Sequence, residues 1–341
     1  PGTANLPGAR AAPMGQKCTC LDGNEGKPPK FEVSTTLEFE PIGLSLGAFQ
    51  ELPPKKAAFD PPVASAESSE RGVVVFEGGL RYTGQWRGSM REGHGILERP
   101  DGGRYEGQFV ANKAHGIGKL SYSRGDEYEG EWYEDHTQGY GRFSHSDGSS
   151  YEGQWHRDMQ QGYGVEHWAD GSKFEGSYVG TKKNGPGKFF WPDGSVYDGE
   201  FRNNDIHGAG EYRWADGRVY IGEWHRNRFH GLGHMRWSDG RVYDGHYIED
   251  KKHGEGCFIW QDGRQYSGQW KDGKQHGLGR YMNPSHRVQS GEWNDGRRLY
   301  WLEDERDPLP TDGFWPPDAA EARERLTHGG ASEASPGRLE S

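Results

Sequence analysis

The stretch DGRVYIGEWHRNRFHGLGHMRW, from Asp216 to Trp237, is followed at once by a near copy, DGRVYDGHYIEDKKHGEGCFIW, from Asp239 to Trp260. Both segments place an aromatic residue, several glycines and further aromatics at the same offsets. Self-similarity with a period of roughly 20 to 50 residues is typical of arrays of small structural units. The fold class therefore depends on how far this pattern extends along the chain.

The pattern extends through nine complete copies at a constant step of 23 residues, and a tenth, degenerate copy follows. The aromatic residues that open the nine copies are Tyr82, Tyr105, Tyr128, Tyr151, Phe174, Tyr197, Tyr220, Tyr243 and Tyr266; the tenth copy has Gln289 there. Offsets below are counted from this opening residue. The glycines at offset 2 are Gly84, Gly107, Gly130, Gly153, Gly176, Gly199, Gly222, Gly245, Gly268 and Gly291. The aromatics at offset 4 are Trp86, Phe109, Trp132, Trp155, Tyr178, Phe201, Trp224, Tyr247, Trp270 and Trp293.

The spacing within a copy predicts two short antiparallel β-strands. Side chains alternate along a strand, so offsets 0, 2 and 4 share one face and the polar residues between them share the other. All nine complete copies then carry Gly-x-Gly, as at Gly93 and Gly95, and this second half also has period two. Most copies end in Asp-Gly, as at Asp216-Gly217, which is a turn signal because these residues tolerate positive φ.

A single hairpin of this kind is marginally stable, so neighbouring hairpins must stack to bury the aromatic face. We expect glycines to leave room for neighbouring rings. The predicted fold is therefore all-β: an elongated array of stacked two-stranded hairpins over residues 71–300. Some twenty strands spaced ~4.8 Å apart would extend on the order of 95 Å. RGVVVFEGG, from Arg71 to Gly79, and the degenerate copy at Gln289 are predicted to cap its ends.

The composition supports a thin structure with an aromatic core. Only 31% of the 341 residues are hydrophobic, whereas 13% are aromatic and 55 are glycine. The net charge of −11 argues against nucleic acid as a partner. Three cysteines, Cys18, Cys20 and Cys257, are too few for a disulfide framework and are compatible with the cytoplasm.

Tyr-x-Gly-x-Trp with Gly-x-Gly on a 23-residue step resembles the MORN repeat (membrane occupation and recognition nexus), over roughly residues 72 to 300. The resemblance implies a scaffold that binds cytoskeletal or membrane-associated proteins, with phospholipid contact also associated with the family. MORN arrays also precede the catalytic domains of plant phosphatidylinositol phosphate kinases and of some SET-domain methyltransferases, and they tether membranes in junctophilins.

The two flanks lack the repeat. Residues 1–70 are rich in Pro, Ala and Ser and are predicted to be mostly disordered. Their sharpest signal is MGQKCTC, residues 14–20, because translation from Met14 would place Gly15 in an N-myristoylation pattern and Cys18 and Cys20 where palmitoylation follows. One myristoyl chain anchors a protein only marginally, so a second acyl chain fits. The alternative is a leader with two free thiols. Residues 301–341 form a polar tail with one short predicted helix, Asp318 to Gly330.

The residues that invite a catalytic or metal-binding interpretation recur too regularly for one site. Equivalent positions in successive copies lie two strands apart, on the order of 10 Å, so the offset-10 histidines cannot share a metal ion. These are His115, His207, His230, His253 and His276. The carboxylates at offset 1, such as Glu129 and Glu152, are expected to form a solvated row. No phosphate-binding loop, cofactor motif or catalytic signature is found, so we expect neither a cofactor nor an enzyme.

The functional prediction is a non-enzymatic scaffold at the cytoplasmic face of a membrane or in the cortical or ciliary cytoskeleton. Exposed lysines at 182–183 and 251–252 are candidates for contacts with partners or anionic lipid. A terminal strand edge could template a homodimer. The alternative is the targeting region of a phosphatidylinositol 4-phosphate 5-kinase-like or SET-domain enzyme whose catalytic domain is absent here. The roughly 40 residues after Trp301 are too few for such a domain.

Overall fold

The computed structural model describes residues 69–303, which form one continuous antiparallel sheet of 21 strands. Within these residues each strand pairs with the strand before it and the strand after it in sequence, so the sheet is an uninterrupted meander. A 3-10 turn at Glu77–Gly79 separates the first two strands. The predicted all-β repeat array is confirmed, and its hairpins join into a single sheet.

Every copy contributes a first strand and a second strand. The first strands have seven residues each: β2 Arg81–Arg87, β4 Arg104–Val110, β6 Glu127–Tyr133, β8 Ser150–His156, β10 Lys173–Val179, β12 Val196–Arg202, β14 Val219–His225, β16 Val242–Ile248, β18 Gln265–Lys271 and β20 Val288–Asn294. The second strands are β3 Met90–Glu98, β5 Lys113–Ser121, β7 His136–Ser144, β9 Met159–His167, β11 Lys182–Phe190, β13 Asp205–Arg213, β15 Arg228–Arg236, β17 Lys251–Ile259, β19 Lys274–Met282 and the shorter β21 Arg297–Trp301. A leading strand, β1 Ser69–Val75, precedes them.

The loops between copies use the Asp-Gly signal seen in the sequence. At one such loop Trp168 N donates to Ser172 O and Gly171 N donates to Trp168 O, each at 3.0 Å. Gly171 has φ of +90°, where a side chain would be strained. The carboxylate of Asp170 accepts a hydrogen bond from Ser172 N, so the aspartate closes the turn that the glycine permits.

The turns within copies are tight two-residue connections that the sequence did not reveal. Both central residues have positive φ, as at Arg226 (+50°) and Asn227 (+64°), which is the arrangement of a type I′ hairpin turn. Arginine carries no local signal for this conformation. The second turn position, offset 7, is held by the preceding copy: Asn227 Oδ1 accepts from Ile206 N at 2.7 Å, and Asn227 N donates to Ile206 O. Successive turns are therefore hydrogen-bonded along this edge of the sheet.

A register shift occurs inside each copy, whereas the pairings from one complete copy to the next contain none. In the first copy Gly84 pairs with Gly95, and Trp86 then pairs with Arg91. The side chain at offset 3 satisfies the backbone that the bulge exposes, because Gln85 Oε1 accepts from His94 N at 2.8 Å. Gly93, with φ of +71°, leaves room for that amide. The bulge is thus a regular element of the repeat.

The two ends of the sheet are formed as the sequence suggested. β1 occupies the place of a second strand beside β2, with Arg71 opposite Gly84 and its guanidinium carbon 5.1 Å from the centre of the Trp86 ring. At the other end Trp301 pairs with Gly291 and packs edge-on against Trp293, their centroids 5.9 Å apart. The predictions for residues 1–68 and 304–341, including disorder and a short helix, lie outside the described residues.

Candidate interaction surfaces

One face of the sheet, here called the aromatic face, carries a continuous chain of rings. Each opening aromatic contacts the offset-4 ring of its own copy and that of the next copy, always edge-on. Tyr82, for example, lies 5.1 Å from Trp86 and 5.2 Å from Phe109 between ring centroids. The same pair of contacts recurs up to Tyr266, which lies between Trp270 and Trp293. Edge-to-face pairs at this separation are favourable beyond the area that they bury.

The glycines of the aromatic face accommodate the ring of their own copy. A Cβ on Gly95 would lie 2.6 Å from Cζ of Tyr82, and a Cβ on Gly84 would lie 2.5 Å from Gly95 Cα. Paired glycines on neighbouring strands therefore leave a flat stretch of backbone, and the ring of the opening tyrosine packs on it. The expectation that a neighbouring ring lies over the glycines is confirmed. The ring is the opening aromatic of the same copy, and the offset-4 rings flank it.

Most polar atoms of these rings donate to backbone carbonyl groups, although Tyr178 donates to the carboxylate of Glu166. The hydroxyl of Tyr220 donates to Glu223 O at 3.0 Å, and seven other opening tyrosines make the equivalent bond. Trp132 Nε1 donates to Gly118 O in the preceding copy at 3.0 Å. At the N-terminal end, Trp86 Nε1 has no partner within residues 69–303, because β1 shifts register at the matching point. The aromatic face is thus occupied by its own packing.

Two lysines expected to be exposed are buried on the aromatic face, so that expectation is wrong for them. Lys183 and Lys252 are 4% and 2% exposed, whereas Lys182 and Lys251 face solvent. The reason is strand alternation, which sends offsets 8 and 9 to opposite faces. Lys183 Nζ lies 2.8 Å from Glu166 Oε2. It cannot reach a partner or a lipid headgroup.

The opposite side, here called the polar face, carries the offset-1 carboxylates. In copies 2 to 6 they are half-buried or exposed. In copies 3, 4 and 6 they lie opposite basic residues on the preceding strand, as Asp198 does opposite Lys188, with a 3.2 Å ion pair. Exposed pairs of this kind contribute little to stability. The row is a solvated surface, as the alternation predicted.

Offset 12, between the two glycines of Gly-x-Gly, places apolar side chains on the polar face. Ile117, Tyr140 and Tyr163, in consecutive copies, are 59%, 53% and 58% exposed. Successive members lie two strands apart, on the order of 10 Å. We call these three residues the apolar stripe. Glu131 pairs directly opposite Ile117, and Tyr140 donates to Glu152 at 2.8 Å, so carboxylates border it.

The apolar stripe was not predicted from the sequence. Its signal is visible in retrospect as a large apolar residue inside Gly-x-Gly in three consecutive copies, 2, 3 and 4, whereas Leu232 and Leu278 are isolated in copies 7 and 9. The pattern is easily missed because strand alternation identifies only the face of this position. A residue beside glycines could still be shielded by its neighbours, and the exposure appears only once the sheet is assembled.

The offset-10 side chains lie beside the turns of the next copy. Gln138 and Gln161 accept hydrogen bonds there from Arg157 N and Gly180 N. The rings of His207 and His225 are 5.0 Å apart, and burial lowers the pKa of His207 below its usual value. Within residues 69–303 no three metal-binding side chains converge.

Cys257 is fully buried, and Gln265 Nε2 donates to its sulfur at 2.9 Å. Burial raises the pKa of its thiol to about 12, so the group stays protonated at neutral pH. The lipidation candidates Gly15, Cys18 and Cys20 lie outside the described residues. Within the described part of the chain, no helix has the length and apolar character needed to cross a membrane.

A known family model matches the chain in nine segments, and each segment begins at the opening residue of one copy. The family model "MORN repeat" matches residues 82–104, 105–127, 128–150, 151–173, 174–196, 197–217, 220–240, 243–263 and 266–286, together more than half of the chain. A comparison with curated proteins gave no significant match.

Two solved structures show a loose likeness to this chain. The TCP domain of SAS-4 (dCPAP) from Drosophila melanogaster, in complex with a proline-rich motif of Ana2 (dSTIL), is 13% identical with a TM-score of 0.29, covering 46% of this chain and 85% of that one. The TCP10 domain of Danio rerio CPAP is also 13% identical with a TM-score of 0.23, covering 68% and 99%.

Proposed function

Because the chain belongs to the MORN-repeat family, we propose that it is a non-enzymatic scaffold that holds protein partners at the cytoplasmic face of a membrane or at the cortical or ciliary cytoskeleton. A scaffold needs a long surface of fixed geometry. An uninterrupted sheet of 21 strands supports that role, since its hydrogen bonding fixes the spacing between successive copies. The general character of a repeat protein built for interaction follows from the family itself.

The apolar stripe is the observation that carries the proposal. Ile117, Tyr140 and Tyr163 are more than half exposed, although the aromatic rings on the other face are almost wholly buried. Exposed tyrosine is typical of protein interfaces, where it offers apolar area at low entropic cost. The partner we propose is a protein segment with apolar residues that fit the stripe and basic residues that face Glu131 and Glu152.

Location is proposed to come from the leader, because the acidic sheet by itself is a poor binder of anionic membranes. If Gly15 becomes the N-terminus, a myristoyl group there and palmitoyl groups on Cys18 and Cys20 would supply the two hydrophobic anchors that stable attachment needs. Mass spectrometry of protein from its native cell tests this. A peptide that starts at Gly15 with added acyl mass is expected, and an unmodified peptide that reads through Met14 contradicts the anchor.

The partner surface is tested by proximity labelling in native cells. The variant Ile117→Ser/Tyr140→Ser/Tyr163→Ser removes the stripe, and Ala209→Ser/Leu232→Ser/Glu255→Ser changes the same offset in copies 6 to 8 as a matched control. We expect the stripe variant to lose specific labelled proteins that the parent and the control retain, with unchanged circular dichroism. Identical labelling by all three proteins would contradict the stripe as the partner surface.

The non-enzymatic part of the proposal has its own test. The purified chain is expected to show no lipid kinase or methyltransferase turnover with phosphatidylinositol phosphates or protein substrates. Turnover by this chain would contradict the scaffold and favour the enzyme alternative, whatever the outcome of the labelling experiment.

A further inference from the structure

The polar face changes character along the molecule. In copies 7 and 8 the residues at offsets 1 and 14, which point away from the aromatic face, are buried, whereas Ser267 and Arg280 at these offsets in copy 9 are half-buried. Ile221 and Asp244 at offset 1 are 3% and 5% exposed, and His234 and Cys257 at offset 14 are 5% and 0% exposed. Gln265 and, in copy 10, Ser290 are buried on the same side. We call these six residues the covered patch.

At the same offsets in copies 1 to 6 the residues are half-buried or exposed, and none is buried. The side chains of Asp198 and Glu106 at offset 1 are 64% and 43% exposed, and those of Lys188 and Lys119 at offset 14 are both 43% exposed. The strands have the same lengths and the same register in both halves. The sheet itself therefore does not account for the burial.

No part of residues 69–303 is placed to cover the patch. Each strand makes its main contacts with the two strands beside it in the sheet, and the described chain has a single layer. Side chains on the outside of one layer become buried only when something lies over them. The cover must come from residues outside the described range or from another molecule.

The chemistry of the covered patch suits close packing, because its polar groups have partners within the sheet. His234 Nδ1 lies 3.3 Å from Asp244 Oδ2, and Gln265 Nε2 donates to Cys257 Sγ at 2.9 Å, so these polar groups are paired within the sheet. Ile221 adds apolar area, and Cys257 and Ser290 are small. A surface of this kind favours an element with small apolar side chains, because it can approach the strands closely.

We propose that the C-terminal segment Asp318–Gly330 docks on the covered patch. The described chain ends just after β21, four strands from Cys257 on β17, which is about 20 Å. The residues between 304 and 317 can span about 45 Å when extended, so the segment reaches. The leader joins the sheet at β1, on the order of 75 Å from the same point, which favours the C-terminal segment.

The sequence of the segment matches the requirement. In a helix, Ala319, Ala322 and Leu326 would share one side, since residues three, four and seven apart lie close together. Glu321, Glu324 and His328 would occupy the other side. A helix of this length is marginal alone, so docking of its small apolar side on the sheet would stabilise it.

The test uses the thiol of Cys257 as a reporter in the full chain, with Cys18→Ser and Cys20→Ser so that it is the sole cysteine. The rate of alkylation by a maleimide at neutral pH reports how often the patch opens. Leu326→Asp places a charge on the docking side, and His328→Asp places the same charge on the opposite side as a matched control. We expect Leu326→Asp to raise the alkylation rate at least tenfold and His328→Asp to leave it near the parent rate.

Three results would overturn the proposal. Rapid alkylation of the parent, at the rate of an unstructured peptide thiol, would mean that the patch is open. Equal, slow rates for the parent and both variants would mean that another element covers it. Protection that disappears on dilution would assign the cover to a second copy. Circular dichroism of each variant distinguishes undocking, in which the sheet signal remains, from loss of the fold.

Discussion

The aromatic face and the polar face of this sheet belong to the same strands, yet they differ in how regularly their residues and contacts repeat. On the aromatic face the opening ring, its paired glycines and the offset-4 rings repeat with nearly constant geometry from Tyr82 to Trp293. The polar face carries an apolar stripe in copies 2 to 4, ion pairs around Lys188 and the covered patch in copies 7 to 10. A repeat protein can therefore hold one face fixed for stability and vary the other along its length.

The physical basis of the difference is how many neighbours each position depends on. A ring on the aromatic face contacts rings in adjacent copies and lies over backbone that has no room for a side chain. One altered residue there disturbs two copies. Outside the covered patch, a side chain on the polar face has solvent on one side, so most substitutions there are tolerated.

The comparison predicts its largest effect for Gly222→Val. A Cβ at this glycine would lie 2.5 Å from Cζ of Tyr220 and 2.8 Å from Gly233 Cα, so the ring and the paired strand must both move. We expect a loss of about 3 kcal/mol or more in the free energy of unfolding. Urea unfolding followed by tryptophan fluorescence measures it.

Gly72→Val is the matched control, because nothing lies within 4 Å of a Cβ there. Its expected effect is within about 0.5 kcal/mol. Equal stability of Gly222→Val and Gly72→Val would mean that the paired glycines are not needed to accommodate the Tyr220 ring.

A smaller effect is expected at the turn edge. Asn227→Ala places alanine at a positive φ, which is unfavourable for this residue. It also removes the acceptor for Ile206 N, so we expect a total loss of about 2 kcal/mol in the free energy of unfolding. Asn203→Ala changes the first position of the turn in the preceding copy. Its only expected cost is that of placing alanine at a positive φ. Urea unfolding should therefore show Asn227→Ala to be worse by about 1 kcal/mol. If the two variants are equally stable, the hydrogen bond between copies contributes nothing measurable.

Tyr220→Phe removes one hydroxyl from the aromatic face and leaves the ring in place. The carbonyl of Glu223 loses its donor, and we expect about 1 kcal/mol of destabilisation. Tyr163→Phe makes the same change on the exposed polar face and should alter thermal unfolding very little. If Tyr220→Phe destabilised the protein less than Tyr163→Phe, a hydroxyl on the aromatic face would not contribute more to stability than one on the polar face.

The smallest effect is expected for the charge of Asp262. Its hydrogen bonds with the Arg264 side chain hold the pKa of this carboxyl below its usual value. A lowered folded-state pKa contributes stability above the unfolded pKa, and that contribution is lost as the pH falls through the folded value. Because the carboxylate is half exposed, Asp262→Asn should cost only a few tenths of a kcal/mol at pH 7 and less at pH 2. Urea unfolding at both pH values measures it, and a constant difference would contradict this.

Much of the fold could be predicted from the 23-residue step, since the positions of Tyr220, Gly222 and Trp224 identify a strand and its buried face. The type I′ turns could not, because residues such as Glu134 and Arg226 carry no preference for positive φ. A neglected signal was available in the Asn or Asp that recurs at offset 7, as at Asn112 and Asn204.

By itself the sequence determined the repeat, its period and the residues that face the core, because side-chain alternation along a strand is a local property. Only the tertiary structure decided which ring covers which glycine and which polar-face residues are exposed. Lys183 is buried beside Glu166, Ile117 is open to solvent and Cys257 is fully covered, although all three lie on strands of the same repeat. Burial depends on what lies above a residue in space, and no local pattern contains that information.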